Sequence, residues 1–453
     1  MARIAIEGGD RGRWGELAEA ALGILEEGLA AVDPGEGLRR AVCREGESLR
    51  AGGKEFPLGG GRVLLLAAGK AAGGMAAALE GILGRRIEGG LVTVPPGGLL
   101  PPLSLPAREA GHPLPDEESL RSAEEVCRLL RGAKAEDLVI VALSGGASAL
   151  WSLPADGISP ADLRETTRLL LRSGASIEEC NAVRKHLELL KGGGIPLLAP
   201  SARILGLILS DVVGDRLETV ASGPTMPDPS RFADAWRVLE SRALLDRVPP
   251  AVRQRLSAGR AGKLPETPKA GDPGLARVEN LCVGSAQDAV AAIVRSARAR
   301  GFAAACLTSL LRGEASQAGL LLGGILREEA LRARPFPRPC ALVAAGETTV
   351  RVAGKGRGGR NLELGLSAAS CLAGLGREVL LASLASDGSD GSSGAAGVLV
   401  DGESGPRAES AGLEPDRLLA DNDSLAFFRA AGGLLRTGPT GTNVNDFCLL
   451  LAR

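Results

Sequence analysis

VLLLAAGKAAGGMAAAL, residues 63–79, joins an aliphatic run to a glycine-lysine turn and then to an alanine-rich stretch. The six apolar residues Val63–Ala68 predict a strand that is buried on both faces, because no polar residue interrupts them. The alanine-rich stretch predicts a helix that runs to about Leu83, with Gly69-Lys70 as the turn between strand and helix. The segment is typical of the first unit of a parallel sheet that is covered by helices.

Two further segments repeat this order of strand and turn. Asp137–Leu143 is followed by Ser144-Gly145-Gly146, and Ile204–Leu209 is followed by Ser210-Asp211. Aliphatic strands that alternate with helices predict an α/β fold with a Rossmann-like parallel sheet covered on both faces. Ligands of such sheets bind beyond the carboxyl ends of the strands, where these turns lie.

The pattern stops between Trp236 and Gly274, where the sequence is rich in arginine, proline and glycine, and it resumes afterwards. We interpret this stretch as the link between two α/β domains, residues 1–255 and 256–453. For the second domain the sequence predicts strands at 281–283, 303–308, 341–345 and 379–385, helices at 285–300, at 314–333 and from Asn361, and a hairpin-like segment at Thr348–Val352.

The composition excludes several classes of protein. The 453 residues are 45% hydrophobic, with 53 basic against 54 acidic residues, which disfavours disorder and bulk affinity for nucleic acids or acidic membranes. The uncharged stretches 89–107 and 138–155 contain prolines or a glycine turn that a membrane helix does not tolerate. The N-terminus has no apolar secretory segment, and the eight cysteines form no CxxC pair. We expect a cytoplasmic protein with buried, reduced thiols and without zinc.

The first two turns carry candidate anion-binding groups. Lys70 would place an ammonium at a helix N-terminus, where backbone N–H groups and the helix dipole favour anions, although the spacing is not that of a Walker A loop. In the second turn, Gly145 and Gly146 let N–H groups converge on a phosphate, and Ser144 and Ser148 add hydroxyl donors. Each turn taken alone is also compatible with a purely structural role.

Further polar side chains follow in residues 177–215. If 177–191 is helical, Asn181 and Arg184 share one face, and Lys191 lies beside the glycines at the C-terminal end. Asp211 follows a strand directly, and a carboxylate there suits Mg²⁺ or a substrate hydroxyl. Helix-dipole stabilisation and turn capping are the structural alternatives for these residues.

The C-terminal half adds a basic loop and two polar turns. Four glycines in Gly354–Arg360 predict a flexible loop whose cations suit a polyphosphate. Arg360 borders the helix predicted from Asn361, where its guanidinium and the helix N–H groups could together hold a tetrahedral anion. The other candidates in this half are Glu347, Lys355, Arg357, Asp387, Asp390 and Asn443.

Eight segments resemble, in the same order, the class II glycerate kinases, which are glycerate 2-kinases with a C-terminal module named MOFRL. They are GKAAGGMA (69–76), GHPLPDEESL (111–120), LSGGASAL (143–150), NAVRKHLELLKGG (181–193), LILSDVVGD (207–215) with ASGPTMPDP (221–229), GETTVRVAGKGRGGRNLE (346–363), SDGSDG (386–391) and TGPTGTNVND (437–446). Each motif alone has low specificity, but the occurrence of all eight in the same order, from about residue 60 to the C-terminus, makes the resemblance specific.

The resemblance implies ATP- and Mg²⁺-dependent phosphorylation of D-glycerate to 2-phosphoglycerate, by two α/β domains with the active site in the cleft between them. It implies that Lys70 and Arg360 contact the reacting phosphate and the substrate. Either Asp211 or a deprotonated Lys70 would accept the proton of the 2-hydroxyl. The nucleotide-, phosphate- and substrate-binding residues would be Gly69, Ser144, Gly145, Gly146, Ser148, Asn181, Arg184, Lys191, Glu347, Lys355, Arg357 and Asn443.

Two positions depart from the family pattern. Gly194 stands where members commonly have the arginine of KGGRL, and Gly394 stands where they have the second aspartate of DGxTDAAG. With that aspartate absent, metal binding would depend on Asp387 and Asp390.

Two other functions remain open at this stage. An oxidoreductase acting on hydroxypyruvate or glycerate would need a dinucleotide site, but no GxGxxG follows a predicted strand. A non-catalytic sugar-acid binding protein would bind glycerate without turning over ATP. We expect small-molecule ligands and neither nucleic acid nor membrane as a partner, and the sequence leaves open whether the chain forms a homo-oligomer.

Overall fold

The computed structural model describes residues 3–7 and 11–453, and the side chains of residues 11 and 12 lie outside this description. The chain divides into two compact units. The central unit comprises Pro34–Val283, and the terminal unit comprises the described residues up to Asp33 together with Gly284–Arg453. Each unit is built around its own sheet.

Strands and helices alternate along most of the chain. The strands are β1 (Ala5–Ile6), β2 (Val42–Glu45), β3 (Ser48–Ala51), β4 (Lys54–Pro57), β5 (Val63–Ala68), β6 (Ile87–Val94), β7 (Ala107–Glu109), β8 (Leu138–Leu143), β9 (Arg203–Leu209), β10 (Val278–Gly284), β11 (Ala303–Leu311), β12 (Cys340–Gly346), β13 (Val379–Ala385), β14 (Gly397–Asp401), β15 (Leu434–Arg436) and β16 (Asp446–Ala452). The helices are α1 (Arg11–Ala31), α2 (Pro34–Ala41), α3 (Ala72–Leu83), α4 (Glu117–Arg131), α5 (Ala147–Leu150), α6 (Pro160–Arg172), α7 (Ile177–Lys185), α8 (Gly194–Leu198), α9 (Phe232–Ser241), α10 (Pro250–Arg260), α11 (Ala286–Ala299), α12 (Ala315–Arg332), α13 (Arg360–Leu372), α14 (Ser404–Ser410), α15 (Pro415–Ala420) and α16 (Ser424–Ala431). The predicted α/β class is confirmed.

The central unit contains a six-stranded sheet in the order β10-β9-β8-β5-β6-β7, and its pairs from β9 to β7 are parallel. All residues of β5 and β8 are buried, as their uninterrupted apolar runs predict. Leu64 and Val139 pack in one core cluster with Val126 of α4. Because β5 and β8 are parallel neighbours, the turns that follow them meet at one edge of the sheet.

The terminal unit contains a seven-stranded sheet in the order β1-β15-β14-β13-β16-β12-β11. β11 and β12 are parallel, and the other pairs are antiparallel. β16 lies between β12 and β13, so that its first residue, Asp446, stands opposite Gly346 and Ala385. The sequence pattern predicts β11, β12 and β13 but not β14 to β16, and for that reason it does not indicate that this sheet is mostly antiparallel.

The compact units divide the chain differently from the predicted ranges 1–255 and 256–453. β10 joins the sheet of the central unit and extends that unit to Val283, whereas β1 pairs with β15 and α1 contacts α11 in the terminal unit. The stretch Trp236–Gly274, interpreted above as a link, contains α10. Val252 and Leu256 of α10 are buried with Phe232 in a core cluster of the central unit, so the stretch is part of that unit.

The structure also bears on three further predictions, which concern segment Thr348–Val352, the cysteines and the uncharged stretches. Thr348–Val352 forms no hairpin, because Thr349 pairs instead with Glu314 at the start of α12 in an isolated parallel bridge. All eight cysteines are free thiols, but Cys43, Cys282 and Cys306 are exposed and lie on the edge strands β2, β10 and β11. Within residues 3–7 and 11–453, no helix has the length and apolar character that crossing a membrane requires.

Candidate active site

The turns after β5 and β8 pack directly on one another. Gly69 has a φ of +125°, and a Cβ atom there would lie 2.1 Å from Ser144 Oγ, so the position requires glycine. Lys70 N donates to Gly145 O over 2.9 Å, and Ala71 N donates to Ser144 Oγ over 3.0 Å. The structure therefore brings these predicted residues together at the carboxyl edge of the parallel sheet.

A histidine, His112, lies beside Gly146 and next to these two turns. Gly146 has a φ of +90°, and a Cβ atom there would lie 3.1 Å from His112 Cδ2 and 3.8 Å from Lys70 Cγ. Lys70 and Gly146 are partly exposed, and His112 is exposed. His112 is not among the residues predicted from the sequence, although it lies in GHPLPDEESL. The available signal was its rarity, since the chain has two histidines.

A chain of polar side chains connects Ser148 to Asn181. Ser148 Oγ lies 2.7 Å from Ser222 Oγ, Ser222 Oγ donates to Asn181 Oδ1 over 2.8 Å, and Asn181 Nδ2 donates to Thr219 O over 3.3 Å. Ser222 has a φ of +62°, which is unfavourable for a residue with a side chain, and these bonds help to hold it. Asn181 is buried and supports segment 219–222, whereas Ser148 is partly exposed.

Lys191 is buried behind the same turn. Its Nζ donates to Ser148 O over 2.8 Å, to Trp151 O over 3.1 Å and to Glu188 Oε2 over 2.7 Å, which uses all the protons of the ammonium. Burial lowers the pKa of Lys191 to about 8, and Glu188 opposes this decrease. Arg184 Nε lies 3.9 Å from Glu188 Oε1. The structure thus places Lys191 as a support of α5, whereas the sequence predicts contact with a ligand.

Asp211 follows β9 directly, and β9 is the neighbour of β8 in the sheet. The residue is partly exposed. Because the strands are parallel, Asp211 lies at the same edge of the sheet as the turns that contain Lys70 and Ser144. Its assignment as the base remains a prediction, and its position at this edge is compatible with it.

Two carboxylates hold Arg360, the first residue of α13. Arg360 Nε and Nη2 donate to Asp446 Oδ2 and Oδ1 over 2.5 and 2.8 Å, and Nη1 lies 3.1 Å from Glu347 Oε1. Asn445 Nδ2 donates to Glu347 Oε2 over 3.1 Å. The predicted residues Arg360 and Glu347 are thus brought together. Asp446 is recognisable from the sequence as a polar residue of TGPTGTNVND, but its pairing with Arg360 was not predicted, because the two residues lie 86 positions apart.

Burial and ion pairing act on this pair in opposite directions. Burial tends to lower the pKa of Arg360, but the hydrogen bond to Asp446 and the negative charges of Asp446, Glu347 and Asp390 together outweigh burial, and the pKa is raised. Burial raises the pKa of Asp446 to about 7 against the effect of Arg360, and the charges of Glu347 and Asp390 add to the increase. Arg360 therefore stays charged around neutral pH.

Asp390 caps the N-terminus of α13. Its Oδ1 accepts from Asn361 N and Nδ2 over 3.0 and 3.2 Å, and its Oδ2 accepts from Leu362 N over 3.0 Å. These N–H groups already bind a carboxylate of the protein, so the prediction that they hold a phosphate together with Arg360 is wrong. The same bonds engage both oxygens of Asp390, which disfavours this residue as a metal ligand.

The loop Gly354–Arg360 is fixed through its backbone. Gly354 N donates to Asn422 Oδ1 and Gly356 N donates to Asp421 O, each over 2.9 Å. A Cβ atom at Gly354 would lie 2.2 Å from Asp421 O. Here glycine permits a close approach of two segments, whereas the sequence predicts a flexible loop.

The remaining predicted residues lie around this loop and the start of β16. Lys355 and Arg357 are exposed, and Arg357 Nη2 donates to Ser392 O over 3.0 Å. Asp387 and Asn443 are partly exposed. They belong to adjacent segments, because Thr440 N donates to Asp387 O over 3.4 Å.

The fit of these residues to Mg²⁺ can be judged from their donor atoms. Across the described residues, no group of three or more His, Cys, Asp and Glu side chains has an arrangement that could hold a metal ion. Mg²⁺ in phosphoryl-transfer enzymes is commonly held by one or two carboxylates together with the phosphates of the substrate. Asp387 is compatible with that arrangement because it is partly exposed.

Family models match both halves of the chain. A model described as a domain of unknown function, DUF4147, matches residues 20–257, and a model described as the MOFRL family matches residues 340–446. The chain is 41% identical to the glycerate 2-kinase of Pyrococcus horikoshii over 96% of this chain and 97% of that protein. It is 38% identical to the D-glycerate 2-kinase of Thermotoga maritima over 96% and 98%, and 36% identical to human glycerate kinase over 96% and 93%.

Two crystal structures have a similar fold along nearly the whole chain. That of a protein from Pyrococcus horikoshii OT3 matches with a TM-score of 0.80 at 41% identity, covering 96% of this chain and 98% of that one. That of glycerate kinase from Thermotoga maritima matches with a TM-score of 0.83 at 38% identity, covering 96% and 99%. The similarity therefore extends through both compact units.

Proposed function

The chain belongs to the family of glycerate kinases with a C-terminal MOFRL module, and on that premise we propose that it transfers the γ-phosphoryl group of ATP to the 2-hydroxyl of D-glycerate. In this reaction the hydroxyl oxygen forms a bond to the γ-phosphorus, the bond between that phosphorus and the bridging oxygen breaks, and ADP leaves. The hydroxyl proton passes to a base. Catalysis of this kind depends mainly on positioning and on neutralisation of charge.

The observation that carries the proposal is that Lys70, in the turn after β5, packs against the turn after β8. Lys70 N is bonded to Gly145 O, and the backbone of Gly146 passes close to the Lys70 side chain. An ammonium beside a glycine-rich turn at the carboxyl edge of a parallel sheet suits an anionic phosphate. Lys70 would neutralise charge on the transferring group, and Ser144 and Gly146 would shape the turn that receives it.

We assign the proton-accepting role to Asp211, at the same edge of the sheet. A carboxylate can accept a proton directly, whereas an ammonium has to lose one before it can act as a base. Lys70 remains the alternative base.

Arg360 would contact oxygens of the phosphoryl group or the substrate through the guanidinium N–H groups that are not bonded to Asp446 or Glu347. We further propose a requirement for Mg²⁺, which supplies neutralisation of phosphate charge when bound. Asp387 is the side chain that would hold it together with the nucleotide phosphates. The cytoplasmic location also remains a prediction.

Release of ADP measured with purified protein tests this proposal. We expect release that depends on D-glycerate and Mg²⁺ and that stops when either is omitted. Oxidation of NADH with hydroxypyruvate, followed by absorbance, is the control for the oxidoreductase alternative. Binding of glycerate without release of ADP would instead support a non-catalytic binding protein.

A further inference from the structure

The guanidinium of Arg360 keeps part of its hydrogen-bonding capacity. A guanidinium has five N–H donors. Here Nε and Nη2 each donate one hydrogen bond to Asp446, and Nη1 forms an ion pair with Glu347 Oε1 over 3.1 Å. One further N–H remains on each Nη atom, and the contacts of the described residues assign no acceptor to either. The Arg360 side chain is 26% exposed, so these donors are not enclosed by the protein.

Asp446 lies on a central strand of the sheet and is less exposed than Arg360 or Glu347. It is the first residue of β16, which is paired on both sides, with Gly346 of β12 and Ala385 of β13. Its side chain is 11% exposed, whereas that of Glu347 is 46% exposed. The position of a carboxylate is well defined when its strand is paired on both sides. Such a carboxylate can therefore hold a long side chain in one orientation.

We propose that Asp446 is the positioning residue of Arg360, which it orients so that the two remaining N–H donors of the guanidinium meet the oxygens of the transferring phosphoryl group. This inference rests on the proposed function. The two hydrogen bonds to Asp446 fix the plane of the guanidinium. Because the group is already oriented, it loses little conformational entropy when it binds an oxyanion. Glu347 restrains the same group from the Nη1 side.

A second arginine–aspartate pair in the terminal unit shows how a pair with a structural role differs. Arg407 Nη2 donates to Asp401 Oδ1 over 2.7 Å and to Ser404 Oγ over 3.0 Å, and Arg407 Nη1 donates to Glu403 Oε2 over 3.2 Å. The guanidinium also lies over the ring of Trp14, 5.1 Å from its centroid. Protein groups surround Arg407, and none of its partners belongs to the candidate site. This pair is therefore a matched control.

The experiment compares Asp446→Asn with Asp401→Asn, after turnover of the unchanged protein has been established. We expect Asp446→Asn to lower kcat at least about tenfold with the KM for D-glycerate changed by less than about threefold, because orientation matters most in the transition state. Asp401→Asn removes a comparable ion pair and should leave kcat within about twofold, even if it lowers the melting temperature.

A double-mutant cycle separates positioning from a general structural effect. If Asp446 acts through Arg360, then adding Asp446→Asn to Arg360→Lys should lower kcat by less than about threefold further. Should Asp446→Asn fail to fold, Asp446→Glu serves in the same cycle, because it keeps the charge but displaces the fork. Effects that multiply in the double variant, or an Asp446→Asn protein with unchanged kcat, would overturn the inference. Absence of kinase turnover in the unchanged protein would overturn the proposed function instead.

Discussion

The backbone of Lys70 is fixed by a hydrogen bond from its N–H to Gly145 O. The start of its side chain lies beside Gly146, so the position of the chain that leads to the amino group is defined. We predict that Lys70→Ala lowers kcat at least ~10²-fold, the size expected when a group that stabilises transition-state charge is lost. Steady-state kinetics at saturating ATP and D-glycerate measures this.

Lys54 provides the control for that substitution. It is a lysine of the same unit, its side chain is 63% exposed, and its partner is Glu279 at the surface. Lys54→Ala should therefore keep the turnover of the unchanged protein. If Lys70→Ala kept it as well, the catalytic assignment of Lys70 would be wrong.

The three cations of loop 354–360 should differ in their effects. Arg360 is paired in a fixed geometry with Asp446, whereas Lys355 and Arg357 are exposed. We expect Arg360→Lys, which keeps the charge but loses the fork, mainly to lower kcat. Lys355→Ala and Arg357→Ala should mainly raise the KM for ATP. The assignment fails if Arg360→Lys behaves like the unchanged protein while Arg357→Ala loses turnover.

The turn after β8 depends on a glycine for its shape. Gly146 and Gly157 both have positive φ, +90° and +82°, but a Cβ atom at Gly146 would meet the His112 ring, whereas one at Gly157 would meet no atom within 4 Å. Alanine at either position should cost about 1–2 kcal/mol of stability from backbone strain. Only Gly146→Ala should also lower kcat, by about tenfold, since it displaces groups beside Lys70. Equal kinetics in the two variants would contradict this account of the turn.

The contribution of Lys191, the lysine that supports α5, to the stability of the protein should depend on pH. The folded-state pKa of Lys191 is about 8, below the value of about 10.4 for an unfolded chain. Between these values the unfolded chain binds a proton that the folded chain has released, so the contribution of Lys191 to stability rises with pH in this window, by at most about 3 kcal/mol. Below about pH 8 both states are protonated and the contribution is constant.

Urea unfolding of the unchanged protein and of Lys191→Met at several pH values tests this. The variant leaves the buried Glu188 with Arg184, 3.9 Å away, as its remaining cation, and should be less stable by about 3 kcal/mol at neutral pH. The difference in unfolding free energy should grow as the pH rises from about 8 to about 10.4, and the titration of the cysteines cancels because both proteins contain them. A difference that stays constant or shrinks would show that the pKa of Lys191 is not lowered.

Sequence patterns predicted those elements whose signal is local. β5 and β8 are uninterrupted apolar runs, and β13 is apolar except for Ser383; the structure places all three at or within one residue of the predicted bounds. The strands that follow β13 were not predicted. β15 has three residues, and its pairing with β1 joins positions from opposite ends of the chain, which no local period reveals.

The candidate site shows the same limit. The turns with Lys70 and Ser144 were found because each follows a strand directly. The pairing of Arg360 with Asp446 depends on the position of β16 between β12 and β13, a fact of strand order that spacing along the chain does not carry. The burial of Lys191 and the capping role of Asp390 were likewise hidden, because both depend on neighbours distant in sequence.

Both compact units contain residues that the family resemblance assigns to the reaction. Lys70, Ser144 and Asp211 belong to the central unit, and Arg360 and Asp387 belong to the terminal unit. The similarity to glycerate kinases extends over 96% of the chain, so the sequence provides both sets. We therefore predict that substitution of these particular residues, in either unit, lowers turnover although each unit keeps its own core.

The ³¹P NMR spectrum of the product formed from ATP, Mg²⁺ and D-glycerate tests the proposed reaction most directly. A phosphate on carbon 2 couples to one proton and gives a doublet, whereas a phosphate on carbon 3 couples to two protons and gives a triplet. We predict a new phosphomonoester doublet that grows with the signals of ADP and is absent without D-glycerate. A triplet, or no new phosphomonoester signal that depends on glycerate, would contradict the assignment as a glycerate 2-kinase.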